Sequence, residues 1–257
     1  LQSERAMAFH VYATSLRQQA YHLASIEQGA GGRATETRHT ETASMLRRAA
    51  GVYTFLSDCV LPSLLDDLPG ERPAELAPST AACLASCTLA EAQAVTAHRA
   101  MQKGSSAMLV AQLHMGVSEL MEGASKLLRE GTGQCNSISS RLRRHIAVTS
   151  TLHEALAAAY QGYQQLAAGQ AGVAVALCDH ATALLRKCTN AAEGDTRWNA
   201  VIAETGSVVQ AMRGYFDTQR SMVYFQSVSK NVPKPPEAKV IVSAIDFTPP
   251  CDSAMLC

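Results

Sequence analysis

"TLAEAQAVTAHRAMQKGSSAMLVAQL", residues 88–113, decides how the rest of the chain is read, because it spells helix, break and helix again. Its first half is an Ala-rich helix. Lys103-Gly104-Ser105-Ser106 interrupts it, and an apolar stripe then resumes at Leu109 and Leu113. Two leucines at that spacing are either ordinary core or the floor of a groove for another protein.

The same texture runs outward in both directions. Apolar residues recur every three or four positions almost everywhere before about residue 225, with no alternating strand pattern. Ala6, Phe9, Ala13, Leu16, Ala20 and Leu23 trace one face of a first helix from Ser3 to about Gln28, which Gly29 to Gly32 would close. A second helix from about Thr35 turns Met45, Ala49, Val52, Phe55, Leu56 and Val60 inward, and Pro62, Pro69, Pro73 and Pro78 mark the loop after it. Pro78-Ser79-Thr80 carries capping chemistry for a third helix ending near Met101, and Ser105 or Ser106 caps a fourth reaching Arg129. A long helix from about Ile138 to Ala168 and a partner to about Ala192 form a hairpin across "AAGQAG". Asp195 caps a last helix to about Tyr224. Beyond it, prolines forbid helix, and "KVIVSAI" is expected to cross the helices in extended form. The hairpin from Leu152 to Lys187 has tetratricopeptide flavour, although one hairpin does not make a repeat array.

Composition narrows the functional classes. The 257 residues are 47% apolar and 17% charged, and 22 basic side chains balance 22 acidic ones. A soluble globular chain with no global field results, so nucleic acid is not an expected partner and any anionic contact needs a local patch. Eight cysteines without framework spacing read as reduced thiols of a cytosolic protein. No apolar run approaches the roughly 20 residues of a membrane span, and "LQSERAMAFH" lacks the order of a secretory signal. The chain does not start with Met, so a fragment is expected. Ala254 stands where a prenylation box needs cysteine, so no prenyl anchor is expected.

Chemistry is sparse. No nucleotide-binding glycine loop, HExxH or GxSxG occurs, and no catalytic constellation, metal site or cofactor is expected. Cys83 and Cys87 share a helix face and read as buried small residues rather than half of a metal site. His98, His114, His145 and His153 read as solvated or capping histidines. Arg141, Arg143, Arg144 and His145 form the densest basic cluster. It reads first as a solvated helix face and second as a surface for phospholipid headgroups or acidic partner residues.

Four stretches carry a family resemblance: "ERAMAFHVYATSLRQQA", "RRAAGVYTFLSD", "TLAEAQAVTAHRA", and "MVYFQSV" followed by "FTPP". In order and spacing they resemble the BRO-one domain of Alix-, Brox- and rhophilin-type ESCRT-III adaptors. The resemblance implies an all-α, curved antiparallel helical array with a tetratricopeptide-like core and an extended C-terminal tail. It would span residues 1–250, lack the family's N-terminal part, and be followed by a terminal stretch at 251–257. It further implies a non-enzymatic adaptor whose groove receives the amphipathic C-terminal helix of an ESCRT-III core subunit in endosomal sorting or membrane remodelling. Its setting would be cytoplasmic and endosome-associated, with peripheral membrane contact. Carried over by position, the three apolar groove residues fall on Thr96, Leu109 and Leu113, and the flanking acid and base fall near Glu36 and Thr40. Thr96 replaces an aromatic and Thr40 a lysine. Loss of one buried aromatic contact costs on the order of 2 kcal/mol, or about thirtyfold in affinity. The alternative is therefore a diverged helical scaffold that binds another peptide or has lost the groove function.

Overall fold

The computed structural model describes residues 2–25, 33–64, 72–131, 133, 135 and 137–250; side chains are described from residue 37 onward in the second helix. Seven helices follow in order: α1 (Gln2–Ser25), α2 (Arg33–Phe55), α3 (Pro78–Gln102), α4 (Ala107–Glu130), α5 (Ser140–Ala167), α6 (Ala171–Ala192) and α7 (Thr196–Gln219). A π-helical turn prolongs α2 through Leu56–Val60, and another prolongs α7 through Arg220–Tyr224. No strand occurs among the described residues, so the array is all-α.

Local chemistry sets most of the boundaries. Ser106 accepts the Leu109 amide at 3.3 Å, and Asp195 accepts the amides of Arg197 and Trp198 at 3.0 and 3.3 Å. These bonds satisfy helix-start N–H groups that would otherwise lack a partner. The third helix begins differently from expectation. Ala77 is its N-cap, with no side-chain bond, and Pro78 occupies the first turn, where its missing N–H costs nothing. Ser79 and Thr80 are instead buried within that turn. The glycine-rich stretch 29–32 lies outside the described residues.

Each helix packs against the next in the chain. Alanines and small residues line many contacts, which lets the axes approach closely, while a few large side chains fill the remaining space. Val52, Tyr53, Leu56 and Leu61 anchor the α1–α3 region; Val117, Met121 and Ile146 anchor α3–α5; Leu177, Val209 and Phe216 anchor α5–α7. Gly162 is required where it stands, because a Cβ there would lie 2.6 Å from the Phe216 ring.

The tail after α7 runs back across the array from α6 to α1. Ser229 donates to the Gly172 carbonyl of α6 at 3.1 Å, Gln161 of α5 donates to the Lys234 carbonyl at 3.0 Å, and Lys239 donates to the Gln112 carbonyl of α4 at 3.0 Å. Gln93 of α3 grips the tail twice. Its Nε2 donates to the Lys239 carbonyl at 2.7 Å and its Oε1 accepts the Ile241 amide at 3.2 Å. Over α2, Ile245 donates to the Arg47 carbonyl at 3.0 Å, and Phe247 then sits edge-on against Phe9 and Phe55. Glycines make room for this backbone: a Cβ on Gly51, Gly116 or Gly172 would lie 1.8, 2.7 or 2.1 Å from a tail carbonyl oxygen. The expected crossing is therefore present, held by separate hydrogen bonds to successive helices rather than by a sheet.

Gln93 is fully buried and also donates to the Leu113 carbonyl at 3.2 Å. Truncating it orphans buried backbone groups on both α4 and the tail. Gln93→Ala is expected to lower stability by about 3 kcal/mol, measured by urea unfolding, and to expose residues 227–250 to proteolysis before the helices are cut.

Candidate functional site

The residues of the groove implied by resemblance lie on α3 and α4, close to the turn between them, but they are not equivalent. Leu109 is half-buried and presents part of its side chain at the surface. Thr96 is also half-buried, and its hydroxyl donates to the Ala92 carbonyl of its own helix at 2.8 Å, leaving its methyl as the apolar contribution. Leu113 is 1% exposed, so the plain-core reading describes it. Its side chain has almost no surface to offer an arriving helix, because α4 turns it inward beside Val110 and Val117.

Thr40 is exposed on α2 and accepts a hydrogen bond from the Arg99 Nη1 of α3 at 3.0 Å. Arg99 thus brings a guanidinium from α3 to the α2 surface at Thr40, a contact that sequence position alone does not reveal. Glu36 lies in the first turn of α2, and its side chain is outside the described residues. His39 and His98 stack edge-on at 5.6 Å between these two helices.

The tail crosses one helical turn from this surface, at Gln93 and Gln112. Beneath it sits a polar pair that the sequence reading missed. His114 and His153 share an Nδ1–Nδ1 hydrogen bond of 2.9 Å, and Tyr160 stacks on the His114 ring. His114 is buried, which corrects its reading as a solvated residue. Burial holds His153 down at about 4, and burial together with the facing His153 and His98 holds His114 well below the ordinary histidine value. The bond needs a bare Nδ1 on one ring, so the pair serves as a neutral, internally satisfied bridge between α4 and α5.

A second buried network ties α1, α3 and α5. Arg17 forks onto Glu91, with Nε 2.8 Å from Oε2, and His145 Nε2 lies 3.3 Å from the same carboxylate. Burial alone would raise the Glu91 carboxyl, but the Arg17 hydrogen bonds and charge, with His145 at ion-pair distance, outweigh it and hold it at about 2. His145 is therefore engaged with this carboxylate rather than capping or merely solvated.

The basic cluster divides. Arg141 and Arg143 are exposed, whereas Arg144 pairs with Glu193. Cys83 and Cys87 lie 4.0 Å apart in the core, and the Cys83 hydrogen bond and burial push the Cys87 thiol well up. They form a packed thiol pair. Among the described residues no group of three or more His, Cys, Asp or Glu side chains is placed to hold a metal, and no helix is long and apolar enough to cross a membrane.

An array of antiparallel helices strapped by a returning tail, with a partly apolar surface on two neighbouring helices, defines a helical scaffold. Its family follows from direct comparison: the BRO1-like domain model matches residues 17–254, and the chain belongs to that family. A curated relative, the BRO1 domain-containing protein BROX of Danio rerio, is 27% identical over 159 residues, or 62% of this chain and 36% of the relative. The fold resembles the structure titled ALIX BRO1 CHMP4C complex, with a TM-score of 0.68 and 16% identity, covering 83% of this chain and 57% of that one. It also resembles ALIX in complex with the SIVmac239 PYKEVTEDL late domain, with a TM-score of 0.75 and 16% identity, covering 98% of this chain and 33% of that one. A third structure, described as the basis for endosomal targeting by the Bro1 domain, gives a TM-score of 0.70 at 14% identity, covering 95% of this chain and 62% of that one. The chain spans little more than a third of the curated relative. The family's fold is that of a non-enzymatic, protein-binding adaptor.

The histidine pair generates a pH dependence of defined sign. Its folded values are depressed below 6.5, so the unfolded chain takes up protons first as pH falls. Stability from this source is complete above about pH 6.5 and declines toward about pH 4. Glu91 follows at lower pH, losing its contribution as pH falls from 4.5 toward 2. His153→Gln is expected to flatten the upper part of the curve in thermal melts between pH 7 and pH 5.

Proposed function

We propose that this domain is an ESCRT-III adaptor in endosomal sorting or membrane remodelling, and that the α3–α4 surface receives the amphipathic C-terminal helix of an ESCRT-III core subunit. The observation that carries this reading is Leu109, a half-buried leucine on α4 of a BRO1-like domain, to which the resemblance assigns an apolar groove position. The ALIX domain solved with CHMP4C supports it by likeness of fold.

In this reading Leu109 is the apolar anchor, the Thr96 methyl forms a shallow second contact, and Leu113 supports the floor from below. Arg99, hydrogen-bonded to Thr40, gives this edge of the surface the basic character that the resemblance places near Thr40, and the resemblance assigns the acidic flanking position to Glu36. Helix-in-groove recognition requires this combination of apolar contacts one turn apart with charges that set register. A cytoplasmic, endosome-associated location and peripheral membrane contact follow from the same proposal.

A second reading is favoured by two observations. Leu113 has almost no exposed surface, and the Thr96 hydroxyl is turned to its own helix. A scaffold with those features has a weak groove or serves another peptide.

A fluorescent peptide carrying an ESCRT-III core subunit's C-terminal helix distinguishes the two. The parent chain is expected to bind at about micromolar strength, and Leu109→Asp to weaken binding at least about tenfold while circular dichroism stays unchanged. Thr96→Phe, which returns the aromatic, is expected to strengthen binding. Equal binding by the parent and Leu109→Asp, or no binding by a folded parent, favours the second reading. Leu113→Asp is unsuitable, because a charge at a 1% exposed site unfolds the core.

A further inference from the structure

The starts of α5 and α7 converge on a cleft of about 350 Å³, lined by Arg141, Arg144 and His145 from one helix, Arg197, Trp198 and Val201 from the other, and the α7 cap Asp195. The sequence cluster pointed to Arg143, but that side chain does not line the cleft. Arg197, more than fifty residues later, takes its place.

The nearby carboxylates are already committed. Asp195 caps α7, Glu91 holds Arg17 and His145, and Glu193 pairs with Arg144. Arg141 and Arg197 make no side-chain ion pair with a described residue; their backbone amides alone are engaged, by the capping groups Ser139 and Asp195. The Nε of Arg144 is buried without a hydrogen-bond partner. Two exposed guanidiniums and a third with an unused donor thus line one cavity. Trp198 gives the cleft a flat apolar wall and lies 5.8 Å from the His145 ring.

From this geometry we infer that the cleft is a binding site for a phosphomonoester carried on a compact ring, the chemistry shared by a free inositol phosphate and a phosphoinositide headgroup. Guanidinium forks match phosphate oxygens two at a time, which a solvated helix face has no need to arrange. The indole face suits the C–H face of a ring stacked between the arginines and the helix. The lining comes from two short segments, 141–145 and 195–201, so the cleft accommodates one compact group and lacks the length to follow an extended phosphopeptide. The site is separate from the α3–α4 surface and does not depend on the function proposed there.

Trp198 is the single tryptophan of the chain, so its fluorescence reports occupancy directly. Inositol trisphosphate titrated into the intact chain is expected to give a saturable change. Arg141→Gln and Arg197→Gln are each expected to weaken it about tenfold, one charge-assisted contact apiece, and Arg143→Gln to leave it unchanged. In sedimentation with phosphatidylcholine vesicles, co-sedimentation only when phosphoinositide is included assigns the site to a lipid headgroup. Soluble binding without co-sedimentation assigns it to a free phosphate, and either result supports the site. No saturable change, equal weakening by Arg143→Gln, or binding only of a phosphotyrosine peptide overturns it.

Discussion

The backbone of residues 227–250 needs hydrogen-bond partners wherever it lies against the protein, and the helical array is built to supply them. An extended segment outside a sheet has no ladder, so each of its buried amides and carbonyls must be met individually. Gln93 and Gln161 reach up from α3 and α5, while the Arg47, Gln112 and Gly172 carbonyls accept from above. Glycines on α2, α4 and α6 bring the helices close enough for those bonds to form. Seven helices that otherwise touch mainly their neighbours are thereby joined end to end. Gln93 also bonds the Leu113 carbonyl, so the strap is mechanically continuous with the α3–α4 surface one turn away.

That continuity explains why the two leucines of the opening stretch differ. Leu113 lies on the part of α4 that the strap and Gln93 cover, and it is core. Leu109 lies one turn nearer the α3–α4 turn, outside that cover, and keeps surface. The buried histidine pair behind them satisfies polar groups without charge and fixes α4 against α5, whereas Glu91 fixes α1, α3 and α5 with charge. Rigid backing of this kind favours the proposed helix binding, because a pre-ordered surface loses less conformational freedom when a partner docks.

Features that depend on nearby residues were legible in the sequence. The break at Gly104, the caps at Ser106 and Asp195, the hairpin across "AAGQAG" and the extended proline-bearing tail all arise from local chemistry. Features that depend on distant residues were not. Gln93 meets Lys239 across 146 positions, His114 meets His153 across 39, and Arg197 joins Arg141 only after α5 and α7 pack. The Arg99–Thr40 hydrogen bond belongs to the same class, since α2 and α3 must first be juxtaposed. The start of α3 was misread for a local reason: serine and threonine after a proline look like a cap, but Pro78 itself fits the first helical turn.

Hydrogen–deuterium exchange of this chain with and without an ESCRT-III core subunit's C-terminal helix tests the central claim most directly, because it maps the contact without altering any residue. Added protection is expected at the C-terminal turns of α3 and the first turns of α4, around Thr96, Arg99 and Leu109, with none at the α5–α7 cleft. Protection confined to another surface, such as the outer face of α7, would contradict it.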